Sequence, residues 1–269
     1  MKHVKAFLQS KKGLILVFAA AAILILAGGI GGTRAALSVY SEQYNSRLQT
    51  SDIGISLYEN EILAAQRDYD PDAGNYSWKE SGTGLLCQKL IGLDGKEDAE
   101  LKIGKSYQEK LMVKNSGKIP VYTRVLIWKY WAETDQEGNI TKKRTDLDPD
   151  LIELQFLENN GWIMAEGDDA FSKECMVLYY TKPLASGEET SLIADSFRIN
   201  DRVMDIVSET STKDASGATV VTVTYEYDGM QFVIEAEADA VQTHNAHAAI
   251  LSAWGREAAF DGNEITAIK

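Results

Sequence analysis

The chain has 269 residues, 45% of them hydrophobic, and a formal charge of −13. That apolar share supports a sizeable core and argues against wholesale disorder. The acidic balance repels phosphate backbones and anionic lipid, which excludes nucleic acid as a partner. In chain order, Lys2, His3, Lys5, Lys11 and Lys12 make residues 1–12 basic, residues 14–27 are uninterruptedly apolar, and Gly28, Gly29, Gly31 and Gly32 follow. A basic stretch, a short apolar core and then small residues predict a secretory signal peptide over residues 1–35. As a helix the apolar run would span about 21 Å, short of the roughly 30 Å hydrocarbon core. An uncleaved anchor, lengthened by the flanking small residues, is the competing reading. Removing this segment with its five cations (Lys2, Lys5, Lys11, Lys12 and Arg34) and no acid would take the charge from −13 to −18.

Residues 36–51 are polar with interspersed Leu37, Val39, Tyr40, Tyr44 and Leu48. The first predicted strand is 52–58, with Ile53, Ile55 and Leu57 on one face. Residues 68–84, rich in Asp, Gly, Ser and Asn, read as loop. Strands are predicted at 85–91, 107–114 and 121–131, the last two joined by an Asn115-Ser116-Gly117 turn with Pro120 at a strand start. Residues 134–150 read as an exposed excursion, and 151–157, 162–164, 175–181 and 190–197 as further strands. Thr219, Val221, Val223, Tyr225 and Tyr227 alternate with more polar neighbours, and Asp228-Gly229 suggests a two-residue type I′ turn. That turn would return the chain over 230–240, with Tyr225 opposite Phe232 and Val223 opposite Ile234. A short helix is predicted at 244–254, ended at Gly255. The fold class that follows is all-β: an antiparallel two-sheet sandwich, jelly-roll-like, over 52–243, with a short C-terminal helix and tail over 244–269.

Chemistry is sparse. No P-loop, dinucleotide fingerprint or G-x-S-x-G elbow is present. His244 and His247 stand at i, i+3, the spacing of two metal ligands on one helix face, but no H-E-x-x-H frame surrounds them. Two solvated histidines is the stronger reading. The acidic runs around Asp146, Asp148 and Asp150 and around Glu166, Asp168 and Asp169 offer clustered oxygens for calcium without an EF-hand frame; solvated loops are the alternative. Tyr122, Trp128, Tyr130 and Trp131 suit either a sugar-binding platform or a strand core. Cys87 and Cys175 suit either a disulfide across the sandwich or two buried thiols, and neither has a partner at zinc-ligand spacing. No enzyme activity, metal or cofactor is expected.

Three stretches carry a resemblance to a known family. They are Gly31-Gly32-Thr33-Arg34-Ala35-Ala36-Leu37 continuing into residues 48–60; residues 101–105 through Val113-Lys114-Asn115-Ser116-Gly117 into 121–131; and Pro183-Leu184-Ala185-Ser186-Gly187-Glu188 with the acidic strand 231–242. Together they resemble the TasA/camelysin family of exported proteins, although Ile103 stands where that family usually has proline. The resemblance implies a jelly-roll domain and processing between Ala35 and Ala36 by a SipW-type signal peptidase. It also implies polymerisation in which the mature N-terminal segment completes the sheet of the next subunit. Leu37, Val39, Tyr44 and Leu48 are the candidate anchors of that donor segment.

The leading expectation is therefore a secreted, non-enzymatic subunit of an extracellular biofilm-matrix fibre, whose partners are copies of itself and which keeps no membrane anchor after cleavage. The alternative is a monomeric exported surface or adhesion module that binds a protein or glycan. A secreted metalloprotease is a third reading, weakened by the lack of a zinc-ligand triad in the sequence pattern.

Overall fold

A computed structural model describes residues 53–70, 77–168, 174–213, 215–216 and 218–269. The predicted signal peptide 1–35, the Ala35–Ala36 junction and the segment 36–51 with Leu37, Val39, Tyr44 and Leu48 lie outside the described residues.

Strict alternation builds the centre of the first sheet. In β6 (Ser106–Lys114) every second side chain is buried, so one face turns to the core and the other does not. β6 is flanked by β1 (Gly54–Glu59) and β12 (Ala194–Ile199). β2 (Ile62–Asp70) and β3 (Ser77–Gly82) extend the sheet beyond β1, and β9 (Ile152–Phe156) lies beyond β12, giving the order β3-β2-β1-β6-β12-β9. The second sheet is organised by the long β7 (Val121–Thr134). β11 (Cys175–Tyr180) pairs with it on one side, with β10 (Trp162–Ile163) outside; β15 (Gln231–Gln242) pairs on the other, and β8 (Ile140–Arg144) joins the far end of β7. Short pairs join β4 (Leu90–Ile91) to β5 (Glu97–Asp98), β13 (Val207–Lys213) to β14 (Thr219–Tyr225), and β16 (Ala258–Asp261) to β17 (Glu264–Ile268).

The sheets bury their facing sides in one core. Ile55, Leu57, Leu111, Val113 and Phe197 come from the first sheet, and Val125, Ile127, Met176, Leu178 and Ile234 from the second. Tyr107 stacks on Phe197, which also meets Phe232, each at a 5.5 Å ring separation. The architecture is thus the expected all-β antiparallel two-sheet sandwich with a short C-terminal helix, α1 (Ala246–Trp254). Gly255 ends that helix in the left-handed region (φ +66°), as its sequence position predicts. A second buried cluster brings α1 and the β16–β17 hairpin, through Ile250, Trp254, Ile265 and Ile268, against Tyr122, Tyr179 and Val241 of the second sheet.

Three expectations fail for identifiable reasons. Residues 68–84 are not all loop, because β2 and β3 pair there with Arg67 opposite Glu80 and Asp68 opposite Lys79. Across this ladder stand an Arg67–Glu80 ion pair at 3.0 Å and an edge-to-face Tyr69–Trp78 contact at 5.4 Å rather than an apolar alternation. Residues 85–91 are not one strand: Cys87 adopts φ +58°, which breaks the extended run. Finally, 219–227 does not pair with 230–240. β14 pairs with β13, residues 226–229 form a four-residue turn, and β15 pairs along β7, Phe232 opposite Trp131. β7 offers β15 a twelve-residue ladder, and Tyr227 leaves the strand to pack its ring against Trp131 at 4.8 Å.

Candidate functional site

Two features stand out as sites: a strand edge beside a groove, partly unpaired among the described residues, and a buried acidic cluster.

The groove lies where β1 and β2 face β15. Ile55 and Leu57 of β1, Ala65 of β2, and Ala236 and Ala238 of β15 line a space of about 500 Å³. Alanine at three of these positions leaves the space open. On its edge away from β7, β15 meets one short strap: Ala236 N–H donates to the Gly84 carbonyl at 2.9 Å, and Leu86 N–H donates to the Ile234 carbonyl at 2.8 Å. Alternate residues direct their backbone groups to the same edge, so Ala238 and Ala240 present theirs there too. Among the described residues no strand pairs with them. Ile53, the first described residue, belongs to a buried cluster with Val121, Tyr180 and Leu184 against which Ala240 packs. The chain thus enters its first strand beside the free half of β15.

The acidic cluster starts from a residue on the inward phase of β6. Tyr107, Glu109, Leu111 and Val113 all point into the sandwich, and Glu109 is 1% exposed. Its Oε2 accepts from the Cys87 thiol at 3.4 Å, while the Cys87 backbone N–H donates to Glu59 Oε1 at 2.5 Å. The ligand atoms of Glu59, Cys87 and Glu109 lie within 4.8 Å of one another, and among the described residues no other His, Cys, Asp or Glu side chains converge three together in this way. Burial, then the neighbouring Glu59 charge, pushes the Glu109 carboxyl up to about 9. Burial, followed by the Glu109 and Glu59 charges, raises the Cys87 thiol well above its ordinary value. Glu109 Oε1 is buried with no donor; Glu59 beside it is a second acceptor unless one of the two carries a proton. The buried Lys129 offers a contrast, since its ammonium donates to the Ile152 carbonyl at 3.2 Å and sits 3.5 Å from Asp150.

The residues singled out from sequence are distributed elsewhere. Asp146 is held by Arg144 at 2.6 Å, with its carboxyl lowered to about 2, and Asp148 accepts from the Asp150 N–H to cap a 3-10 turn. Asp168 pairs with Arg256 at 3.3 Å and Glu166 with Lys269 at 3.8 Å. The described acids are thus engaged in ion pairs and turns rather than converging, and Asp169 lies outside the described residues. His247 packs its ring on Phe260 at 4.7 Å. Tyr122 and Trp131 are core residues, whereas Trp128 and Tyr130 are half-buried at the groove margin. Cys87 and Cys175 are not joined in a disulfide. Sequence reading missed the acidic cluster, although one signal was present: Glu109 occupies an apolar phase of the 107–113 alternation. No protein-family model, curated protein or solved structure matches the chain.

Proposed function

We propose that the chain is an exported structural subunit that assembles with copies of itself into an extracellular fibre, residues 36–51 of one copy adding a strand to β15 of the next. The observation that carries this reading is the outer edge of β15 beyond Ala236, with which no strand among the described residues pairs, beside a groove lined by apolar side chains (Ile55, Leu57, Ala65, Ala238) and charged ones (Arg67, Glu80, Lys143, Glu237). Such an edge offers backbone donors and acceptors, and the groove offers seats for alternate side chains, which is what strand addition requires. Leu37, Val39, Tyr44 and Leu48 are the side chains the segment would present. A head-to-tail contact that does not close yields a filament. The resemblance to the TasA/camelysin family points the same way and would place the product outside the cell after signal-peptide removal.

One observation favours a second reading. Ile53 belongs to a buried cluster against which Ala240 of β15 packs, so residues 36–51 of the same chain could fold back along that edge and leave a monomeric surface module. Electron microscopy and light scattering of the chain beginning at Ala36 separate the two. Filaments that vanish on deleting 36–51, and a deletion variant that binds a 36–51 peptide, are the expected result. A strictly monomeric protein at every concentration would overturn the fibre reading. Ala238→Pro is the sharper probe: it removes one outward N–H without touching the β7 ladder, and should suppress filaments while leaving the monomer folded.

A further inference from the structure

We propose that Glu59, Cys87 and Glu109 form a binding site for a divalent zinc-class cation, independent of the assembly edge. Their ligand atoms already lie within 4.8 Å of one another, with the Cys87 sulfur 3.4 Å from Glu109 Oε2. A four-coordinate Zn²⁺ bound by sulfur and carboxylate oxygen holds its ligands roughly 3.3 to 3.6 Å apart. The thiol–Glu109 pair has that spacing, and a small inward movement of Glu59 completes the set.

The second observation is the orphaned oxygen. Glu109 is 1% exposed and its Oε1 has no hydrogen-bond partner. A buried acceptor in this state is unfavourable, and more so when the group is charged. A proton shared with Glu59 would satisfy one contact between the two carboxyls. A divalent cation would satisfy both carboxylates and the sulfur together once the thiol has lost its proton, since each then supplies a lone pair and negative charge to the same point.

The donor set selects the metal class. Calcium takes six to eight oxygen ligands, whereas this cluster offers two carboxylates and one sulfur. A thiolate with carboxylates suits zinc, for which three protein ligands leave the fourth position to water. Glu59 is only half-buried, so solvent reaches the cluster from its side. On binding, Cys87 and Glu109 give up their protons to buffer and the metal takes their place. The ligands lie 28 and 22 positions from Cys87 in the chain, which is why no local motif announces the site.

The test uses the full chain in mild detergent, stripped with chelator and titrated with Co²⁺ and then Zn²⁺. Cobalt should give a sulfur-to-metal charge-transfer absorption that zinc abolishes, that is lost in Cys87→Ser and that persists in Cys175→Ser. Calorimetry should show zinc binding with proton release, weakened at least about tenfold in Glu109→Gln. Glu59→Gln, at a half-exposed position, should weaken it comparably and guards against a folding defect in the buried variant. No charge-transfer band, a band that depends on Cys175 alone, or zinc affinity unchanged in both carboxylate variants would overturn the proposal and leave a proton-sharing carboxyl pair.

Discussion

Gly84 sits at φ +72°, and a Cβ there would collide with the Ala236 carbonyl oxygen. Only glycine lets the strap lie this close to β15, so Gly84→Ala should lower stability by at least about 1 kcal/mol in denaturant unfolding. Glu109 makes a pH prediction. The unfolded chain releases this proton near 4.5, and the folded chain, with Glu59 and Cys87 facing the carboxyl, keeps it to about 9. The native state therefore binds more protons in that window, so this contribution is complete below about 4.5 and is lost as pH rises through about 9. In chelator, unfolding free energy should fall across that range and Glu109→Gln should flatten the slope; an unchanged slope would reject the assignment. Local sequence marked Glu109 only by its place in an apolar phase and did not mark Gly84, because each role depends on a neighbour far along the chain.

At the scale of elements, the β13–β14 hairpin is the outlier. Every described residue of both strands is exposed. Register places Val207, Val221, Val223 and Tyr225 on one face and Ser208, Thr210, Thr222 and Thr224 on the other. A two-stranded ribbon without a covered face is marginal in water. Its amides should exchange with solvent fastest among the strands, while those of β7 and β15 should open only with global unfolding; equal protection would contradict this. The hairpin also explains what the sequence concealed. Its Val-Thr alternation reads correctly as a strand, yet alternation names a face and not a partner, so β14 was assigned the wrong one. β6, β7, β11 and α1 were legible because their apolar spacing coincides with burial. β2 and β3 were not, because Arg67, Asp68, Lys79 and Glu80 interrupt any apolar period.

For the whole molecule, the formal charge of −13, or −18 for the chain beginning at Ala36, opposes association of copies. Salt screens such repulsion and acid removes it. Light scattering of the proposed fibre should therefore show faster growth at neutral pH with added salt, and faster still as carboxylates protonate. Growth indifferent to both would separate assembly from charge. The long pairing of β7 with β15 sets a different limit, one of timing. Arg124 and Asp239 meet across that ladder although they stand 115 positions apart. A chain that emerges N-terminus first has completed β7 long before β15 exists, so Val125, Ile127 and Trp131 wait beside an unoccupied edge. Pairings this distant in sequence close slowly, in the millisecond-to-second range, and unpaired edges are where unfinished chains capture one another. Maturation of the sheet is thus gated by the arrival of β15, and a chain interrupted before residue 231 would keep the first sheet but leave one edge of β7 open and adhesive.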